Sequence, residues 1–341
     1  MDWNKGYSAR WRLYSVDQST WGNGEEINGL VSSSITKDSE SNLIEDASIN
    51  IDGNPIKGYV RIVLEAESPT ESEMTPIGTF LVTSPKRSIN GTLINIDLEC
   101  YSVLKPASDK LLAPGWYFPE GGDPIAGAFE LLSSCLQCPI EPAESDIKTD
   151  EVKIAENNET ALSMALYLLE DTDWKINISP NGEVTIKKDS EEANFMFDTY
   201  DNDVLMPDLS DESDIFDIPN VLRVKDRNGN YNTIYNNDEE SETSIPNTGW
   251  EKWASEDLSL DYGESVYSKG AERMEELSKS KRKISYTREF NPNIKLNDLV
   301  LFLLPQQGII GYFRIISQSI SVGKGAKVSE IAIYEKEHWE A

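Results

Sequence analysis

Histidine is almost missing: His338, in the terminal "EKEHWEA", is the one imidazole in the 341 residues. A Ser-His-Asp or Cys-His nucleophilic site would have to use it. A histidine so near a chain end is ordinarily solvated, so catalysis of that kind is not expected. Cysteine is nearly as scarce. Cys100, Cys135 and Cys138 suit a reducing compartment rather than a disulfide framework. Cys135-Leu136-Gln137-Cys138 has CxxC spacing, but without a second CxxC a zinc site would need Cys100 and His338 to converge on it. Buried, small apolar cysteines are the expected reading.

Long apolar runs are missing too. The longest, "LVLFLL" at 299–304, falls far short of the roughly 20 residues that span a bilayer. "MDWNKGYSARWRLYSVDQ" has no signal-peptide core, so a soluble protein made in a cytoplasm is expected. There is no phosphate loop, dinucleotide fingerprint or helical zinc motif, and "PEGGDP" reads as a turn. No catalytic, cofactor-binding or metal-ligating residue is assigned from the sequence.

Basic residues are in deficit, 31 against 60 acids, for a net charge of −29. Such a chain repels phosphate backbones, so specific nucleic-acid binding is not expected. The imbalance is uneven: Trp250 to Ala341 is nearly neutral, and Met1 to Gly249 carries −28. The densest stretch, Asp189 to Asp217, has eleven carboxylates and no Lys or Arg, and reads as a solvated loop or face. Its Asp201-Asn202-Asp203 lacks the Gly and terminal Glu of a helix-loop-helix calcium loop, which leaves a calcium-dependent binding module as an alternative. A second alternative is a carboxylate-dependent cell-wall or polysaccharide hydrolase, with the aromatics of "GWYFP" (115–119) as a sugar platform. Among so many acids a carboxylate pair at any spacing is uninformative.

What is present is a folded chain, 38% hydrophobic with eight Trp and fourteen Tyr. Up to residue 105 it reads as short strands divided by Gly, Asn, Asp and Pro, the pattern of an antiparallel barrel. Residues 106–194 read as an inserted α+β module. One helix starts at Asp123-Pro124 with a stripe of Ile125, Ala128, Phe129, Leu132 and Leu136. A second starts near Asn158 and buries Leu162, Ala165, Leu166 and Leu169, and a hairpin turns at Pro180-Asn181-Gly182. Residues 195–240 read as an acidic linker and the start of a second barrel, with strands either side of Asn228-Gly229. Residues 241–281 read as a small helical insertion with Val266 or Tyr267, Ala271, Met274 and Leu277 facing inward, and 282–341 complete the second barrel.

One frame occurs twice. "IGTFLVTS" (77–84) and "IGYFRIIS" (310–317) share Ile-Gly-x-Phe-x-(Val/Ile)-x-Ser. Each copy is followed by turn residues, Asn90-Gly91 or Gly323-Lys324-Gly325, and an alternating run, "TLINIDLECYSVL" or "KVSEIAIYEK". Strand, turn, strand at matching places implies duplication. The predicted fold is therefore mainly β with α+β insertions: two duplicated barrels, an inserted module and a small helical segment.

The order barrel, module, barrel resembles the central hub proteins of bacteriophage tails and baseplates, whose fold is shared with the hub of type VI secretion spikes. The phrases "DLECYSVLKPASDKLLAPGWYFPEG", "ETALSMALYLLEDTDWKINISPNGEVTI", "DIFDIPNVLRV" and "NPNIKLNDLVLFLLPQQGIIGYFRIISQSIS" resemble tail-tip hub proteins of phages and prophages of Gram-positive bacteria. The resemblance implies two tube-type barrels per subunit and a homotrimer with six-fold quasi-symmetry at the distal end of the tail in the virion. It implies contacts with a tail tube or distal tail protein hexamer, the tape measure protein and tip or receptor-binding proteins, and a structural rather than enzymatic role. With no peptidase, lysozyme-like or fibre segment before Ala341, cell-wall cleavage is expected of other proteins. An acidic lumen would let DNA pass without adhering, with Asp, Glu, Ser, Thr or Asn at the inward strand positions.

Overall fold

The computed structural model describes residues 1, 3, 7–90, 93–170, 172–198, 205–213, 218–226, 229–239, 241, 243–258, 265–278, 282–323 and 325–336. His338, Asp201-Asn202-Asp203, Gly91, Asn228 and Lys324 lie outside them. The chain divides into two compact units, Met1–Leu209 with Ser285–Ala341, and Ser210–Ile284.

Seven strands open the larger unit: β1 (Ser8–Val16), β2 (Asn23–Ile27), β3 (Leu30–Asp38), β4 (Glu45–Asp52), β5 (Gly58–Glu67), β6 (Ser72–Asn90) and β7 (Leu93–Ser102). They pair in the order β2-β1-β5-β6-β7-β4-β3. Strict alternation sets their faces. β4 buries Glu45, Ala47, Ile49 and Ile51 and turns Asp46, Ser48, Asn50 and Asp52 outward. Leu13, Ile35, Ile49, Ile62, Phe80 and Leu98, from six of the strands, meet in one core. Burial of each such side chain contributes about 1.5–3 kcal/mol.

The inserted module comprises α1 (Lys105–Asp109), β8 (Tyr117–Phe118), α2 (Pro124–Ser133), β9 (Lys153–Ile154), α3 (Ala161–Leu169) and the hairpin of β10 (Trp174–Ile178) and β11 (Val184–Lys188). Both helices form where predicted. The second begins later than Asn158, whose φ of 69° is left-handed, and Thr160 caps it in a reciprocal pair with Ser163. Met164 and Leu168 join Leu162, Ala165 and Leu169 on its buried side, while Leu166 is only partly covered. In α2, Ile125, Ala128 and Leu132 are buried, whereas Phe129 and Leu136 lie at the margin of the core.

The acidic stretch, read as a solvated loop or face, holds two strands, β12 (Ala193–Asp198) and β13 (Leu205–Ser213), and β13 exposes Asp208, Asp211 and Glu212. Phe195 and Phe197 share one side of β12, with Asn194, Met196 and Asp198 on the other, and Phe197 stacks on Phe302 at 4.8 Å. β17 (Arg282–Glu289), β18 (Leu299–Leu304), β19 (Ile309–Gly323) and β20 (Gly325–Lys336) follow later in sequence. Their pairing β13-β17-β20-β19-β18 repeats β3-β4-β7-β6-β5, and β12 runs parallel to β18. Rings of Tyr286, Phe302, Phe313 and Tyr334 fill this half's interior at 5.2–5.4 Å spacings.

The Ser210–Ile284 unit contains β14 (Val221–Asp226), β15 (Tyr231–Tyr235), α4 (Ile245–Thr248), β16 (Trp253–Leu258) and α5 (Val266–Ser278). β14 and β15, read from sequence as the start of the second barrel, pair instead with each other and with β16 in a separate three-stranded sheet. Leu222, Val224, Ile234 and Met274 form its core. Val266 packs against that core and Tyr267 is exposed, which settles the choice between them. Gly270 lets α5 lie close, since a Cβ there would meet Val224 at 2.8 Å.

Candidate functional site

The frame that occurs twice lies in β6 and β19, and both copies carry a bulge at its seventh position. Thr83 is the extra residue between the pairs Val82↔Cys100 and Ser84↔Glu99, and Ile316 is the extra residue between Ile315↔Ala332 and Ser317↔Ile331. Phe80 and Phe313 are fully buried in their respective halves. Gly78 is required because a Cβ there would meet the Phe80 ring at 2.5 Å, and Gly311 because its φ is 144°.

Past its bulge β19 changes partner. Up to Arg314 its outer edge pairs with β18; from Ser317 to Val322 it pairs antiparallel with β3 of the first half. The two halves therefore share one continuous sheet. Rows of residues cross that seam in register. One reads Ser329, Ser319, Thr36, Asp46, and Thr287 hydrogen-bonds Ser329 at 3.0 Å. The next reads Lys327, Ser321, Ser34, Ser48, Glu99. Further along, Ser32, Asn50 and Asp97 follow, with the Asn50 amide donating to Asp97. This exposed face is built of hydroxyls, amides and carboxylates, with Lys327 at one margin and Lys86, paired with Asp97, at the other. Neither composition nor motif named its residues, because they become neighbours only once the register across β3 and β19 is known.

The opposite side of the same seam carries a buried row of charge. Lys37 faces Glu45 on one neighbour and Gln318 on the other, and Gln318 faces Glu330. Arg288, fully buried, donates to both Glu330 carboxylate oxygens at 2.8 and 2.6 Å, and the Gln318 amide donates to Glu330 at 2.6 Å. Lys37 Nζ lies 3.3 Å from Glu45 and donates to the Ile77 carbonyl. Burial pushes the Glu45 carboxyl upward, against the pull of Lys37. Burial likewise holds the Tyr286 hydroxyl well above its ordinary range. Lys37, Glu45, Arg288 and Gln318, with Asn177 and Asp298, border a cavity of about 420 Å³.

The module is fastened to the first half by Arg61. Its guanidinium donates to Thr79 Oγ1, Asn23 Oδ1 and the carbonyls of Trp21 and Asn181, the last in the predicted hairpin turn. Thr79 Oγ1 donates to the Pro180 carbonyl and Trp21 Nε1 to that of Asn181.

The residues with chemical potential do not converge. Cys100 and Cys138 are buried and their thiols pushed up to about 12, and the half-buried Cys135 is also raised by burial. Among the described residues no group of three or more His, Cys, Asp or Glu is placed to hold a metal ion. Of the "GWYFP" aromatics only Tyr117 is exposed, while Trp116 and Phe118 pack on the module core.

No protein-family model matches the sequence, and no curated protein matches it. Solved structures do resemble it. The 43 kDa tail protein of prophage MuSo2 from Shewanella oneidensis superposes with a TM-score of 0.68 at 12% identity, covering 96% of this chain and 98% of that one. A tail protein from Neisseria meningitidis MC58 gives 0.66 at 11% identity, covering 97% of each chain. An E. coli component of the type VI secretion system, itself described as similar in structure to bacteriophage T4 tail proteins, gives 0.53 at 8% identity, covering 91% of this chain and 74% of that one. The chain thus has the fold of prophage tail proteins, a mainly β fold shared with a component of the type VI secretion system.

Proposed function

We propose that this chain is a structural hub at the distal end of a phage tail. Three copies form a ring of pseudo-six-fold symmetry that joins a hexameric tail tube or distal tail protein to tip and receptor-binding proteins and meets the tape measure protein. Residues 1–105 make the first tube-type barrel, 106–192 a module on its outside, and 282–341 with β12 and β13 the second barrel. The observation that carries this reading is the duplicated hairpin with its shared bulge, through which two barrels in one chain become neighbours in one sheet. A chain that already contains one inter-barrel junction is suited to present six equivalent positions with three copies.

In this reading the face of Ser34, Ser48, Ser319, Ser321, Asp46 and Glu99 lines the lumen. Its carboxylates raise the cost of phosphate contact, its hydroxyls carry no charge, and Lys327 and Lys86 stand at the margins of the rows. The role is non-enzymatic, and the protein resides in the virion. Immunogold labelling of particles with an antibody to this chain tests the assignment. Label confined to the tail end distal to the capsid is expected; label along the tube, or none on purified particles, would refute it.

A further inference from the structure

The duplication leaves one junction made and one unmade. β19 receives β3 along Ser317–Val322, immediately past its bulge. β6 leaves β5 at Val82, immediately before its own bulge, and from Ser84 to Asn90 its described pairing is with β7 alone. The frame aligns Ile89 with Val322. Val322 is 6% exposed within the first half's core, whereas Ile89 is 64% exposed. An isoleucine uncovered where its duplicate is buried marks a missing neighbour.

The strand that fits is identified by the same symmetry. In the second half β13 holds the place that β3 holds in the first, and it ends the sheet, bonded to β17 on one side only among the described residues. Charge agrees. The free stretch of β6 exposes Lys86 and Arg87, a basic pair in the portion of the chain that carries −28, while β13 exposes Asp208, Asp211 and Glu212. Arg282 of the same chain holds Asp211, so Asp208 and Glu212 are the groups offered outward.

We propose that the edge of β6 past Val82 receives β13 of a second copy of this chain, antiparallel, as β19 receives β3 within the chain. The proposal rests on the ring reading and names its interface. The contact is heterologous, β6 edge to β13 edge, and closes when three copies have joined.

The test blocks each edge separately. Arg87→Glu with Ile89→Pro alters the first. Residue 89 shares the orientation of Pro85, which has no N–H to give, so the β6–β7 ladder is spared. Asp208→Lys with Glu212→Lys alters the second. Light scattering is expected to give a trimer for the unaltered chain and a monomer for either variant. An equimolar mixture of the variants should give a dimer, because one intact edge of each kind remains. Variants that trimerise normally, or a mixture that stays monomeric, would overturn this junction and leave the ring reading standing. An unaltered chain that is monomeric at every concentration would overturn the ring reading, and the junction with it.

Discussion

The buried row Arg288–Glu330–Gln318–Lys37–Glu45 ties the two halves together with groups that are expensive to bury, and its members should therefore be sensitive to single substitutions. Removing one partner strands a charge, so Arg288→Leu is expected to destabilise the larger unit by about 3–5 kcal/mol, and Arg288→Leu with Glu330→Leu by less than the single change. Chemical denaturation of both variants measures the difference. At the other end of the row, burial raises Glu45, so the folded chain holds that proton more tightly than the unfolded chain does. Its contribution is greatest at low pH and falls as pH rises through the elevated value. Lys37→Met should cost more near pH 7 than near pH 4, where a neutral Glu45 needs no cation. An equal penalty at both pH values would mean that Lys37 acts through packing alone. The thiols give a simpler check: with Cys100 and Cys138 buried and pushed up to about 12, a disulfide reagent at neutral pH should label the native chain slowly and the unfolded chain at all three cysteines.

Among the elements, the start of α2 and the turn of the β10–β11 hairpin are the most exacting. Asp123 accepts from the N–H of Ile125 at 2.9 Å, and from the N–H and hydroxyl of Ser145 at 2.5 and 2.8 Å. Burial works the other way, yet these donors hold its carboxyl below the ordinary range. The stability it gives is therefore present above the unfolded carboxylate pKa and lost as pH falls through the depressed one. Asp123→Ala should cost about 1–2 kcal/mol at neutral pH by thermal or chemical unfolding. Gly182 has φ 77°, and a Cβ there would meet Thr79 at 2.8 Å, so Gly182→Ala should strain the turn and loosen the Arg61 clamp, costing about 1–3 kcal/mol. Both positions were legible in the sequence, because Asp-Pro and Pro-Asn-Gly are local signals. So was the duplicated hairpin. The assignment of β14 and β15 to the second barrel was not, since a strand's alternation says which face is buried but not which sheet it joins. Nor was the row of charge, whose members are scattered from residue 37 to 330 and become neighbours only through register.

At the scale of the whole molecule, one polar face runs without interruption across both halves because β19 reaches β3. If that face lines a conduit for DNA, adding cations to it should slow passage without harming the fold. Ser48→Lys with Ser319→Lys places ammonium groups on exposed positions of two neighbouring rows, neither directly opposite another cation, a change expected to move stability by no more than about 0.5 kcal/mol per site. Particles built with this variant should eject DNA more slowly than unaltered particles when release is followed with an intercalating dye. Unchanged ejection from fully assembled tails would place the face elsewhere than in the channel. The central claim is the ring itself, and the most direct measurement of it is the mass of the purified chain in solution, taken with class averages of the same sample in the electron microscope. Three copies in a closed ring with six similar lobes is the expected result; a compact monomer at every concentration would contradict it.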